Sequence, residues 1–244
     1  MAETVAGKMT ISTDFRSGLQ AGISIAIGYF PIALTFGLLA KSAGLSISET
    51  LLMSLIVFAG AAQYISLSLL SLGTGIFEIV LTTFILNIRH FLMATSLNEK
   101  TPEGDIGAKA IYSFGLTDET FSVAATKEGE VRKGYMFGLI LISYASWVVF
   151  SGIGHVIGSN LPQTLQDGMA VALYAMFIGL LVPSIKGNAK VVYLAAMAAA
   201  FNTIFTMSGV LEAGWSIVTA TLLSAFIAEA IVYVRGKRVA SDEK

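Results

Sequence analysis

The residues of this sequence that could do chemistry are a few polar side chains set inside long apolar stretches. Phe58-Ala59-Gly60-Ala61-Ala62-Gln63 carries one amide, and Asn87-Ile88-Arg89-His90 carries an amide, a guanidinium and an imidazole. Phe114-Gly115-Leu116-Thr117-Asp118-Glu119 adds two carboxylates to a weakly apolar segment. An Arg at the centre of a membrane helix costs about 2.5–3.5 kcal/mol on insertion scales, so it should face protein or a water-filled cavity. Arg89 and His90 are therefore candidates for binding a substrate carboxylate or carrying a proton. Each residue also has a plain structural reading. Gln63 alone could hydrogen-bond a neighbouring helix, and Arg89 alone could snorkel to the nearer surface beside a satisfied His. Clustering with Asn87 and His90 favours function. Three-residue spacing puts Asn87 and His90 on one helix face and Arg89 on another.

The elements that hold these groups must be membrane helices. The 244 residues are 55% hydrophobic and only 13% charged, with mean hydropathy +0.77. Soluble domains carry about 25% charged residues, so the surface here faces lipid. A net charge of −1 gives no basic field for nucleic acid. Zero cysteines exclude disulfides, thiolate metal sites and Cys nucleophiles. The polar start, followed by a long apolar stretch without an early Ala-x-Ala site, argues against a cleaved signal peptide.

Seven apolar stretches read as spans: Gly18–Ala40, Thr50–Leu72, Gly75–Leu97, Gly134–Gly158, Met169–Ser184, Val191–Met207 and Gly214–Val234. Ser48 is the expected N-cap before Glu49. Pro31 removes a backbone donor, so the first helix is expected to kink or break near Tyr29-Phe30-Pro31. His155, among glycines near a helix end, reads as interfacial. Domain boundaries follow: an N-terminal arm over 1–15, a transmembrane domain over 16–235 and a tail over 236–244.

Basic residues at Arg132-Lys133, Lys186–Lys190 and Arg235–Arg238 put those loops and both termini in the cytoplasm by the positive-inside rule. Seven spans cannot leave both termini on one side. An eighth, polar-centred crossing at Ala110–Lys127 repairs the parity and brings Asp118 within reach of Arg89. Phe36-Gly37-Leu38 recurs as Phe114-Gly115-Leu116, which suggests an inverted repeat with helices broken at Pro31, Gly37 and Gly115. The expected fold is an all-α bundle of seven clear spans plus this short one.

Phe30-Pro31, Phe36-Gly37, Phe58 to Gln63, Asn87 to His90 and Leu116 to Glu119 occur in the order seen in AzlC-like proteins, and from about Arg16 the chain resembles that family. The resemblance implies the large subunit of a bacterial branched-chain amino acid exporter in the cytoplasmic membrane. It implies efflux of leucine, isoleucine, valine and sometimes methionine, with proton coupling and a small AzlD-like membrane partner. On that footing Gln63, Asn87, Arg89, His90 and Asp118 are the expected substrate-binding or proton-coupling residues. No cofactor or metal is expected.

Two other classes compete. An intramembrane enzyme needs His-Glu-x-x-His or a Ser with a paired His, and neither pattern occurs. A channel or non-transporting subunit lacks support from any filter-like sequence or charged ring. No nucleotide-binding motif is present, so ATP-driven transport by this chain alone is excluded.

Overall fold

The computed structural model describes residues 2–102, 106–157 and 189–242, with isolated positions between 160 and 186. Among the described residues the regular structure is helical. The helices are α1 (Ala2–Ser42), α2 (Ile47–Ile56), α3 (Gly60–Ser71), α4 (Ile76–Asn87), α5 (Arg89–Asn98), α6 (Ile106–Phe114), α7 (Asp118–Thr126), α8 (Lys133–Ile157), α9 (Ala189–Ser208) and α10 (Ala213–Asp242). They fall into two compact units, one of Met1–Leu67 with Leu86–Ala175, the other of Ser68–Ile85 with Met176–Lys244.

The first unit is built on α1 and α8. Gly18 abuts the Tyr135 carbonyl and Leu139, Gly22 abuts Leu139 and Ile142, and Gly154 abuts the Leu34 backbone. Ser146 Oγ donates to the Ala26 carbonyl at 2.8 Å. Partner numbers rise together, so the two helices run parallel. Their backbones approach closely because glycines line the seam, the usual way for membrane helices to gain packing without a hydrophobic drive. An Arg-x-Gly-x-x-x-Gly pattern starts both helices, at Arg16-Gly18-Gly22 and Arg132-Gly134-Gly138.

α1 is continuous through Pro31, which corrects the expected break at Pro31 and Gly37. Neighbours supply hydrogen bonds around the proline. Thr35 Oγ1 donates to the Pro31 carbonyl at 2.9 Å, and Tyr64 OH donates to that of Ile32 at 2.6 Å. Gly37 instead lets α8 approach at Ser151 and His155. The chain leaves α1 at Gly44, whose φ of +85° is open to glycine at little steric cost. Ser46, not Ser48, caps α2 in a capping box with Glu49.

Among the described residues five helices are long and apolar enough to cross a membrane: Thr13–Ser42, Ile76–Asn98, Lys133–Ile157, Ala189–Ser208 and Ala213–Ile231. Met169–Ser184 lies outside the described residues. The expected spans Thr50–Leu72 and Ala110–Lys127 are each interrupted, and both fold as helical hairpins. α2 starts beside the far end of α8, where Thr50 Oγ1 and His155 Nδ1 lie 2.9 Å apart. It descends until the Leu55 carbonyl accepts from Tyr144 OH at 2.8 Å. After the break at 57–59, α3 turns back. Gln63 Nε2 donates to Ser54 Oγ at 3.3 Å across the hairpin, and the Tyr64 ring lies 5.8 Å from that of Phe36, higher on α1. His155, in the last turn of α8, is packed against α2 and buried. Thr50 Oγ1 gives its proton to the Ser46 carbonyl at 3.0 Å, so the imidazole Nδ1–H donates to Thr50.

The second hairpin enters from the opposite end. Near that end, Lys109 Nζ donates to Asn98 Oδ1 at 2.7 Å. α6 then runs antiparallel to α5 until His90, at the start of α5, hydrogen-bonds the Leu116 backbone. α7 runs back beside α5, so that Lys100 Nζ donates to the Ala125 carbonyl and Val131 N to the Lys100 carbonyl at 2.9 Å. Residues 100 and 131 are neighbours, and nine residues of α6 or α7 span only about 14 Å at 1.5 Å each. The segment enters and returns. Ala110–Lys127 is thus a hairpin of two short helices rather than the expected eighth crossing. Of the two copies of the Phe-Gly-Leu echo, the first lies inside α1 and the second at the α6–α7 break.

In the second unit α9 and α10 pack antiparallel, with Lys190 Nζ 2.6 Å from Glu229 Oε1. Glu78, 5% exposed, accepts the Trp215 N–H at 2.7 Å. The carboxylate thereby satisfies an orphan donor at the start of α10, where negative charge is favoured. Gly214 makes room for it. Glu212 lies beside Glu78, and hydrogen bonding and charge repulsion from that neighbour raise its carboxyl above the usual range.

Candidate functional site

The tips of the two hairpins lie in the first unit, at residues 57–59 and 115–117, and two buried aromatic residues join them. The Tyr29 ring meets Phe58 of the first tip at 6.2 Å and Trp147 at 5.3 Å. Its hydroxyl lies 2.8 Å from Thr117 Oγ1 and donates to Glu119 Oε2 at 2.7 Å. Trp147 Nε1 donates to Gln63 Oε1 at 3.0 Å, and its ring covers Gly60. Tyr29 and Trp147 are 4% and 2% exposed.

The α6–α7 break satisfies its own backbone. α6 ends in two tight turns, Gly115 N to the Tyr112 carbonyl and Leu116 N to that of Ser113. Thr117 caps α7, accepting from Thr120 N at 3.2 Å. Thr120 Oγ1 accepts from Thr117 N at 2.8 Å and donates to the Gly115 carbonyl at 3.0 Å. Two hydroxyls thus replace the lost helical hydrogen bonds at depth, where an unpaired backbone group is expensive. Gly115 is a glycine because Ile140 of α8 stands where a Cβ would project.

Charge meets this tip from α5. Arg89 NH1 and Asp118 Oδ2 are 2.7 Å apart, with 36% and 24% of their side chains exposed. α4 and α5 meet at Ile88, whose backbone stays helical while Phe91 N bonds the Ile88 carbonyl at 3.1 Å. This tightened step lets the consecutive residues Arg89 and His90 both reach the hairpin, contrary to the opposed faces expected from ideal spacing. Arg89 Nε and Asn87 Oδ1 are buried without a hydrogen-bond partner. Such orphan atoms are rare and point to a guest or a water in another state.

Of the expected site residues, Arg89, His90 and Asp118 gather at the second tip. Asn87 lies one turn away with its free carbonyl oxygen. Gln63 is fully buried, and its described partners, Ser54 and Trp147, pin the first hairpin. Sequence reasoning gave no role to Tyr29, Trp147 or Thr120, and noted Glu119 beside Asp118 without choosing it as a site residue. The Thr-x-x-Thr pattern directly after Gly115 was a legible capping signal. Tyr29 and Trp147 carried none, since lone aromatic residues in apolar helices are ordinary.

Helical hairpins with a polar, partly buried centre, beside long apolar helices, are the build of a multi-span membrane protein. The AzlC protein family model matches residues 24–161, and the chain belongs to that family. It is 34% identical over 72% of its length to an uncharacterized membrane protein of Archaeoglobus fulgidus, covering 78% of that relative. It is 30% identical over 83% of its length to the inner membrane protein YgaZ of Escherichia coli, covering 87%. It is 29% identical over 67% of its length to the branched-chain amino acid transport protein AzlC of Bacillus subtilis, covering 65%. No solved structure matches it.

Proposed function

We propose that this chain exports the branched-chain amino acids leucine, isoleucine and valine, and with them methionine, across a bacterial cytoplasmic membrane in exchange for protons. In this reading it is the large subunit beside a small AzlD-like membrane partner. The observation that carries the reading is the Arg89–Asp118 pair at the hairpin tip, in a family with a relative named for branched-chain amino acid transport. A zwitterionic substrate can replace such a pair, its carboxylate taking the guanidinium and its ammonium the Asp118 carboxylate. Asn87 Oδ1 then accepts from the ammonium, and the apolar walls suit a branched side chain. His90, bonded to the tip backbone, positions the break.

The geometry also supports a topology. With the N-terminus inside, parallel α1 and α8 both run outward and α4–α5 runs inward between them. The α2–α3 hairpin then enters from outside and the α6–α7 hairpin from inside. Lys100, Lys109, Lys127, Arg132 and Lys133 share the inner face, as the positive-inside rule requires.

Purified protein, with and without its small partner, should drive leucine flux in proteoliposomes under an imposed pH gradient. Absence of flux for every branched-chain amino acid in both preparations would reject the function. In cysteine labelling, positions 103 and 130 should both react from the cytoplasmic side. Reaction from opposite sides would reject the inner hairpin.

A further inference from the structure

Two carboxylates sit side by side at the α7 N-terminus, and their surroundings differ. Asp118 has Arg89 at 2.7 Å. Glu119 has the neutral Tyr29 hydroxyl at 2.7 Å, and among the described residues it makes no salt bridge. The titratable groups shown against it are Tyr29 from α1 and its neighbour Asp118, which Arg89 of α5 pairs. At this level α8 presents only uncharged side chains, Ile140, Tyr144 and Trp147. Arg89 is already neutralised by Asp118, so the cluster carries one surplus negative charge whenever Glu119 is ionised. Uncompensated charge at membrane depth is costly, and a carboxyl group there neutralises itself most simply by taking a proton.

We propose that Glu119, rather than Asp118 or His90, is the group that takes up and releases the coupled proton, with Tyr29 and Thr117 as its hydrogen-bond relay. The inference rests on the transport reading above and assigns its proton site. When Glu119 is ionised, Tyr29 O–H donates to Oε2, and the Tyr29 oxygen accepts from the Thr117 hydroxyl 2.8 Å away. Uptake adds one proton from water to the carboxylate. The new carboxyl O–H donates to the Tyr29 oxygen, and Tyr29 O–H turns to Thr117 Oγ1. Release reverses both turns and returns the proton to water. Thr117 is also the cap of α7. Reversing its hydroxyl weakens the cap's hold on Thr120 N, so protonation reaches the break itself.

Infrared difference spectroscopy on the reconstituted full chain tests the assignment without depending on transport. Acidification of wild-type protein should raise a protonated-carboxyl band, which should vanish in Glu119→Gln and persist in Asp118→Asn. Tyr29→Phe should shift that band in frequency, because the carboxyl loses its partner. A band that survives in Glu119→Gln overturns the proposal. In vesicles, Glu119→Gln with normal thermal unfolding should lose all leucine accumulation driven by a pH gradient. Accumulation that persists in this variant also overturns the proposal. Lack of any wild-type flux would reject the transporter reading while leaving the infrared result to stand or fall alone.

Discussion

The two hairpins of the first unit have the same outline and opposite chemistry. The 57–59 tip is held by neutral groups, Gln63 to Trp147 and Ser54 and Tyr144 to Leu55, and Gln63 is completely buried. The 115–117 tip is held by an ion pair of which 36% of the Arg89 and 24% of the Asp118 side chain is exposed, with Glu119 on a tyrosine hydroxyl. Neutral hydrogen bonds in a dry, packed site make a rigid anchor. Charges at a half-open site can exchange partners with a charged substrate. The first hairpin is built to stay, the second to respond.

The comparison breaks most readily at Arg89. Arg89→Met leaves Asp118 as an unpaired charge, and for a fully buried pair that costs about 3–5 kcal/mol. The partial exposure of this pair lowers the figure, but it should still exceed any change at the first tip. Arg89→Met with Asp118→Asn should recover folded, inserted protein relative to Arg89→Met alone. Equal losses, read as monodisperse protein after extraction, would refute the pairing. Arg89→Lys keeps the charge but not the planar fork, and should cut transport at normal abundance.

At the first tip the expected loss is of stability alone. Gln63→Leu strands Trp147 Nε1–H, at about 1–3 kcal/mol for an unsatisfied buried donor. Thermal unfolding should move down, while the substrate concentration for half-maximal flux stays put. A change in substrate affinity without a stability loss would move Gln63 from anchor to site.

A Cβ at each tip gives a smaller, paired contrast. Gly60→Ala meets the rigid Trp147 ring, whereas Gly115→Ala meets the side chain of Ile140, which can change rotamer. Overpacking costs about 1–3 kcal/mol, and Gly60→Ala should lie at the upper end. The reverse order in unfolding temperature would contradict the rigidity assigned to the first tip.

The smallest effect belongs to Glu49. Its hydrogen bonds from the Ser46 backbone and hydroxyl hold the carboxyl below its usual 4.5. A depressed carboxyl pKa contributes stability that is present above the unfolded value and lost as pH falls through the folded one. Glu49→Gln should therefore flatten the acid limb of the unfolding curve below about pH 4.5. The small loss of stability should be present at neutral pH and fade on acidification, where the carboxyl of the wild-type protein is protonated too. A difference confined to low pH would rule this cap out as the cause.

Membrane class and the proximity of Arg89 to Asp118 followed from residue type and depth. An ionisable group among Leu, Ile and Phe has few places to go. Hydropathy could not tell a span from a hairpin. Thr50–Leu72 is as apolar as a crossing helix, and its turn at 57–59 contains neither Gly nor Pro. Nothing local marks the break, which depends on Tyr144 taking the Leu55 carbonyl from 89 residues away in sequence. Proline misled in the opposite sense. The helix runs on through position 31 despite the missing donor, and hydroxyls of Thr35 and Tyr64 add hydrogen bonds to the carbonyls of Pro31 and Ile32. The sequence by itself determined which groups must be shielded from lipid. Which backbone groups are shielded together, and hence which segments turn back at mid-depth, was decided by tertiary structure, because a carbonyl is satisfied equally well by its own helix or by a distant side chain.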